Sequence, residues 1–401
     1  MNVYPKEGGI TLNTKINIST IMMFLIGLTL PIGEQMNQYL PYSSKLFAIV
    51  GFMVILYAGI VIVKENKSQL SKLQMQLMLV LIFIFFVNVI RIIMSEASLS
   101  MYLLQEVLFA LTALAITVLA PRNKNTYKAF SIGYILTFFI LTFFSSYNTY
   151  YGNEVRFVGT YLNPNRYAVD IMLAIYILLS FIVDNKKILI RVILILLSLF
   201  CVYLLLETGT RSVLLAVLIC AVLYIYYNFS QKQKMILSII IPIIALIILV
   251  VFAGKIIFQR FIGGNYESSG YSDNIRWGIW QSYLSNIDKY WLTGITEQQM
   301  HLISKKTPHN TYLGIFVRYG VIGFVVTIIF IFNLIKRSMA NIKRTAFKGE
   351  KMMIYALLST FIVCMFMEMQ SIRLFWIIIA MAIVILDNET VLKNNTFDID
   401  C

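Results

Sequence analysis

Histidine, cysteine and acidic side chains are scarce in this chain. His301 and His309 are its two histidines, and 19 Asp and Glu stand against 33 Lys and Arg in 401 residues. With so few ligating side chains, and no cysteine beside the histidines in an exported loop, no zinc centre is expected. Cys201, Cys220 and Cys364 lie inside apolar runs and Cys401 is the last residue, so no disulfide is expected either. There is no G-x-S-x-G elbow and no Gly-rich phosphate loop of the Walker type, which leaves soluble nucleotide chemistry without a foothold. Internal repeats, low-complexity tracts and Gly/Ser linkers are also missing, and residues 1–401 read as a single integral membrane domain.

What the chain has is apolar surface. Hydrophobic residues make up 59% of it and the mean hydropathy is +0.79, against roughly 45 to 50% apolar usage in soluble domains. A bilayer core requires about 20 mostly apolar residues per helix. Such runs predict twelve spans, at 16–32, 46–63, 73–94, 101–120, 127–146, 167–183, 188–206, 212–229, 235–253, 311–335, 352–369 and 372–386. The first follows Lys6 and Lys15 as a signal peptide would, but no small-residue cleavage pattern closes it, so a retained signal anchor is expected.

The formal charge of +14 is not that of a nucleic-acid binder, which gathers its cations on one face of a folded domain. Here the basic residues lie between apolar runs: Lys64, Lys67 and Lys72, then Arg122, Lys124 and Lys128, then Lys186, Lys187 and Arg191, then Lys232 and Lys234, and a dense group from Lys336 to Lys351. Short loops on the opposite side, such as 33–44 and 95–100, have none. By the positive-inside rule both termini are expected to be cytoplasmic; a bacterial-type inner membrane is the expected setting.

One connection is long: Gly254 to Asn310, on the outside between spans nine and ten. Long ordered loops are usually functional. With Tyr147–Asn165 and Glu207–Arg211 it forms one outer face. Within it, Trp280, Leu284, Ile287 and Trp291 recur at about helical spacing, which predicts an amphipathic helix lying at the interface.

That outer face gathers Arg156, Arg166, Arg211, Arg276 and Arg373 beside His309. Arginine presents a planar fork that binds phosphate oxygens bidentately and stays charged, which suits a pyrophosphate at headgroup level. Any one arginine can also be a snorkelling residue at a helix end. Arg211 is the sharpest candidate, because Thr208-Gly209-Thr210-Arg211-Ser212 turns directly into span eight. His309, in Pro308-His309-Asn310-Thr311-Tyr312 where the long loop re-enters the membrane, has an imidazole able to take a proton from a sugar hydroxyl near neutral pH. Helix capping is the plainer alternative. Arg91, Asp170, Arg318 and Glu368 fall inside spans, where pairing among them is expected. Glu34, Glu154, Glu207, Asp273 and Glu297 are acidic candidates for orienting His309 or binding sugar hydroxyls.

These residues resemble a known family. His309-Asn310, then nine residues, then Gly320-Val321-Ile322-Gly323 is similar to the signature that closes the large outer loop of the O-antigen ligase and Wzy-type polysaccharide polymerase superfamily. Arg156 to Asn165 resembles its Arg/Gly/Asn-Pro-Asn stretch, Thr208 to Ser212 its Ser/Thr-Arg turn, and Asn274-Ile275-Arg276-Trp277 its loop arginine. The resemblance covers about residues 150–335; Arg318 departs from it, where an acidic or neutral residue is expected. It implies an all-α polytopic membrane protein of about twelve transmembrane helices, GT-C-like, with one large extracytoplasmic loop, 254–310. The implied activity is a metal-independent glycosyltransferase, without cofactor, that polymerises undecaprenyl-pyrophosphate-linked repeat units into capsular, exopolysaccharide or O-antigen chains. In this reading His309, Arg211 and Arg276 are catalytic, and Arg156, Arg166, Asn163, Asn165, Asn310, Arg373 and Glu297 bind substrate. The lipid bilayer, a flippase and a chain-length regulator are the expected partners, and no nucleic acid. An O-antigen-type ligase would use the same residues. A lipid-linked sugar flippase or transporter is the rival from another class, although carriers concentrate their charges near the bilayer midplane.

Overall fold

The computed structural model describes residues 17–33, 36–37, 39, 41–65, 70–95, 101–120, 124–150, 154–161, 163–230, 266–342 and 349–397. In chain order these form α1 (Ile18–Thr29), α2 (Leu46–Glu65), α3 (Lys72–Ser95), α4 (Met101–Leu119), α5 (Lys124–Thr142), β1 (Ser146–Tyr150), β2 (Glu154–Gly159), α6 (Pro164–Asp184), α7 (Ile188–Glu207) and α8 (Arg211–Asn228), followed by α9 (Tyr266–Leu284), α10 (Glu297–Ile303), α11 (Thr311–Ile342), α12 (Lys351–Val363) and α13 (Arg373–Phe397). Eleven of the twelve expected spans fall on these helices. The ninth, 235–253, and the first part of the long loop lie outside the described residues. Among the described residues, α2, α6, α7, α8 and α11 are each long and apolar enough to cross a membrane, and α1, α3, α4 and α12 contribute shorter apolar stretches.

Helix α6 is the axis of the bundle. Its residues Tyr167 to Leu178 are all at most 4% exposed, while α7 and α8 point Leu196, Leu199, Leu215 and Val222 outward, as helices that meet lipid on one side must. Helix α13 is covered from Leu374 to Ile383. Where helices approach most closely, glycine makes room. A Cβ on Gly27 of α1 would lie 2.2 Å from the Phe130 carbonyl oxygen of α5, and one on Gly133 of α5 would lie 2.5 Å from the Phe24 carbonyl oxygen. This reciprocal pair is the small-residue contact by which membrane helices associate without a hydrophobic drive between them.

The connections segregate into two ends. At one, Ser71 bonds Asp387, Gln74 bonds the Thr117 carbonyl, and the Gly349 amide donates to Asp184; among the described residues, this end carries most of the loop lysines. At the other, Thr160 donates to the Pro31 carbonyl, Arg156 reaches Thr208, and the Thr311 amide donates to the Cys364 carbonyl. Both the start of α1 and the last turns of α13 lie at the lysine-rich end.

Four local features depart from the reading of the sequence or add to it. Span ten falls on α11 but is not one unbroken helix: Gly320, whose φ of 64° and ψ of −170° are not helical, divides it into 311–319 and 321–342. Span eleven ends at Val363, and 364–372 is a folded turn. The stretch before α6 is an antiparallel hairpin, with Asn148 opposite Arg156 and Tyr147 opposite Phe157. Finally, the helix carrying Trp280 stops at Leu284. Ile287 sits in a 3-10 turn and Trp291 in the turn after it, so the four apolar residues do not share one helical face.

Candidate functional site

The lysine-poor end brings the sequence candidates into three groups. The first is built on the turn between α7 and α8. Helix α7 ends with Gly209 in the left-handed region, φ 60°, a conformation that costs glycine nothing and closes a helix C-terminus. Thr210 precedes the first residue of α8, Arg211. Arg156 holds this turn from the hairpin: Nε donates to the Thr208 carbonyl at 2.8 Å, and Nη2 to Asn165 Oδ1 and Thr210 Oγ1, both at 3.3 Å. Thr210 Oγ1 in turn donates to Asn165 Oδ1 at 3.0 Å. Asn163 caps α6 by accepting the Asn165 amide at 2.9 Å. Arg156 is 9% exposed, so it braces the turn, whereas Arg211 is exposed and Arg166 half-buried.

The second group surrounds His309. Ile279, Tyr283, Tyr290, Ile295 and Met300 of the long loop and Val317 of α11 bury one another, and the loop is also tied to the segment just before α11. Trp280 Nε1 donates to the Pro308 carbonyl at 2.7 Å and the Tyr283 hydroxyl to the Lys306 carbonyl at 3.0 Å. His309 itself adopts φ 50°, uncommon for a residue with a side chain and a form of strain that gathers at functional sites. Asn310 then caps α11: its Oδ1 accepts the Leu313 amide at 3.0 Å while its Nδ2 donates to the Met365 carbonyl at 2.9 Å. With both ends of its amide engaged, Asn310 reads as a cap, the plainer of the roles open to this segment. The His309 imidazole keeps an exposed surface, yet loss of water from the rest of the ring holds its pKa below the ordinary 6.5; Glu368 opposes this, and Arg276 and Lys306 reinforce it. Arg276, half-buried on α9, thus acts on the same ring.

Beneath His309 the expected pairing of membrane charges is met by Arg318 and Glu368, which form an ion pair. Gln370 Nε2 also donates to Glu368, at 2.9 Å. The neighbouring Tyr319 hydroxyl donates to Glu106 of α4 at 2.9 Å. Glu106, 7% exposed, carries no signal in the sequence beyond its place inside an apolar run. The two motif glycines have physical reasons. A Cβ on Gly320 would lie 2.1 Å from the Leu292 carbonyl oxygen, and one on Gly323 would lie 2.6 Å from the Phe83 ring. At the break, the Trp291 carbonyl accepts the Val321 amide at 2.7 Å and the Val317 carbonyl accepts the Ile295 amide at 2.9 Å, so the loop seats itself in the helix. Glu297 starts α10, behind a capping box made by Thr296 and Gln299.

Arg373 belongs to a third group, apart from the other two. It donates to the Ile32 carbonyl and lies 5.2 Å from the centre of the Phe47 ring, and it interacts with Tyr161, which shares Asp170 with Tyr134. In the structure it ties α13 to α1, α2 and α6. Asp170 is thereby satisfied by tyrosines. Glu34 and the side chains of Arg91, Glu154 and Asp273 lie outside the described residues.

Helices that cross a bilayer, with cations and an imidazole collected at one end of the bundle, define a multi-pass membrane protein whose polar chemistry faces one side. Residues 193–328, about a third of the chain, match the family model described as O-antigen ligase. The matched stretch holds Arg211, Arg276, His309, Gly320 and Gly323, which agrees with the resemblance carried by those residues. A comparison with curated proteins found no match.

Proposed function

We propose that the chain is a glycosyltransferase that joins glycans carried on a lipid diphosphate at the outer face of the cytoplasmic membrane, most simply by polymerising repeat units. The observation that carries this reading is the location of His309. It sits at the mouth of α11, under the influence of Arg276, at the same end of the bundle as Arg211. The acceptor hydroxyl gives its proton to His309 as its oxygen attacks the anomeric carbon, and the lipid diphosphate leaves. Arg211, at the N-terminus of α8 where the helix dipole also favours an anion, and Arg276 stabilise the charge that develops on the leaving diphosphate. Because His309 is held below its ordinary pKa, the ring is neutral at neutral pH and able to accept the proton. Undecaprenyl diphosphate is the carrier, a GT-C-like architecture and cytoplasmic termini accompany the reading, and no metal takes part. A ligase that moves finished glycan to another acceptor is the second reading, favoured by the description of the matched family.

The test is His309→Ala, followed by sizing the lipid-linked glycans. Loss of a general base commonly costs about 10²- to 10⁴-fold in rate. Accumulation of one-repeat species supports polymerisation, and long unattached chains would point to ligation. An unchanged length distribution would remove His309 from the reaction.

A further inference from the structure

Four hydrogen bonds fasten the turn between α12 and α13 to Asn310 and Thr311, beside His309. The Cys364 carbonyl accepts the Thr311 amide at 2.8 Å and the Met365 carbonyl accepts Asn310 Nδ2. The Thr311 hydroxyl then donates to the Met367 carbonyl at 2.6 Å and accepts the Met369 amide at 2.8 Å. Those last two bonds bracket Glu368 from both sides, and Thr311 is two residues from His309. The carboxylate is oriented by Arg318 and Gln370. With its side chain 10% exposed, Glu368 acts through little solvent.

We propose that Glu368 serves His309 through its charge: held by Arg318 and Gln370 in the turn that is bonded to Asn310 and Thr311, the carboxylate stabilises the imidazolium formed when the acceptor proton is taken. A carboxylate that orients an imidazole and steadies its charged form is a general solution to base catalysis. Three charges act on this ring: Glu368 from the α12–α13 turn, Arg276 from α9 and Lys306 from the segment just before it. Two of them are cations that oppose protonation, so the carboxylate is the counterweight. The glycan-transfer reading supplies the acceptor proton, but the electrostatic coupling can be measured without any transfer.

The chain has two histidines, so protein labelled at histidine Cε1 and reconstituted in nanodiscs gives two titrating resonances, assigned with His309→Asn. In Glu368→Gln, which keeps the side-chain shape and removes the charge, the His309 midpoint should move to lower pH while that of His301 stays in place. Glu368→Asp, which draws the carboxylate back by one methylene, should give a smaller move in the same direction. It also decides the matter if the Gln variant does not fold. A His309 midpoint that stays fixed in the folded variants overturns the proposal. In assays with a lipid-diphosphate-linked oligosaccharide, the acid limb of the rate profile should shift in parallel with the resonance. A shifted resonance in a protein whose wild-type form transfers no glycan would uphold the coupling and overturn the transfer reading instead.

Discussion

The two mounts at the lysine-poor end hold their exposed side chains by different physics. The Arg211 turn is held by hydrogen bonds from Arg156 to a backbone carbonyl, an amide and a hydroxyl, with no carboxylate among these acceptors. The His309 turn is tied through Asn310 and the amide and hydroxyl of Thr311 to the α12–α13 turn, which also carries the Glu368 carboxylate paired with Arg318. The bonds described at the first mount fix geometry. The other fixes geometry and also sets the charge state of what it carries, and this predicts different failures when each is cut.

The largest expected effect comes from the second mount. Arg318→Ala leaves the Glu368 carboxylate buried beside no partner cation, and breaking such a pair costs about 3–5 kcal/mol. Thermal unfolding in detergent should show it, and a melting temperature equal to wild type would mean that the pair stabilises nothing. Next comes a contrast within the first mount. Arg211→Ala should lower transfer by about 10²- to 10³-fold, as removal of a charge-stabilising donor does, with little change in melting temperature. Arg156→Lys should lower both, because a single ammonium cannot reach the Thr208 carbonyl and the Asn165–Thr210 pair as a guanidinium fork does. If lysine supports full activity at position 156, the brace is not geometric.

Smaller still is Asn163→Ala, which removes the α6 cap and should cost about 1 kcal/mol of stability without altering the pH profile. The pH profile itself separates the mounts most cleanly. Since His309 titrates below 6.5, the ring stays neutral as pH falls from neutrality, and the rate should hold until the pH drops beneath the ordinary imidazole value. Arg276→Gln removes a cation that disfavours the imidazolium, so the acid limb should move to higher pH while the rate also falls. An acid limb that ignores this substitution would detach Arg276 from His309.

Hydropathy alone located eleven of the described helices, because a bilayer leaves an apolar run little choice but to become one. It also led to His309 and Arg211, since each stands where a run meets a turn. What it missed depends on contacts distant in sequence. Nothing near Gly320 reveals that the Leu292 carbonyl will press against it, so α11 looks unbroken. Arg156 and Arg373, read as phosphate ligands, also bond the carbonyls of Thr208 and Ile32, contacts that no local pattern announces. Glu368 seemed a membrane charge awaiting a partner, and its distance of 59 residues from His309 along the chain hid its place below that imidazole. The arginine at 318 that departs from the family pattern finds its explanation in the same pair.

The nine residues from Thr311 to Tyr319 act as a ruler. Thr311 is pinned to the α12–α13 turn at one end and Gly320 abuts the long loop at the other, so the number of residues between them decides which way Arg318 faces. One residue more would rotate everything beyond it by about 100°. The guanidinium would swing off Glu368 and Tyr319 off Glu106, although every side chain involved would still be present. A single-residue insertion at Leu313 should therefore do more harm than most substitutions in this segment.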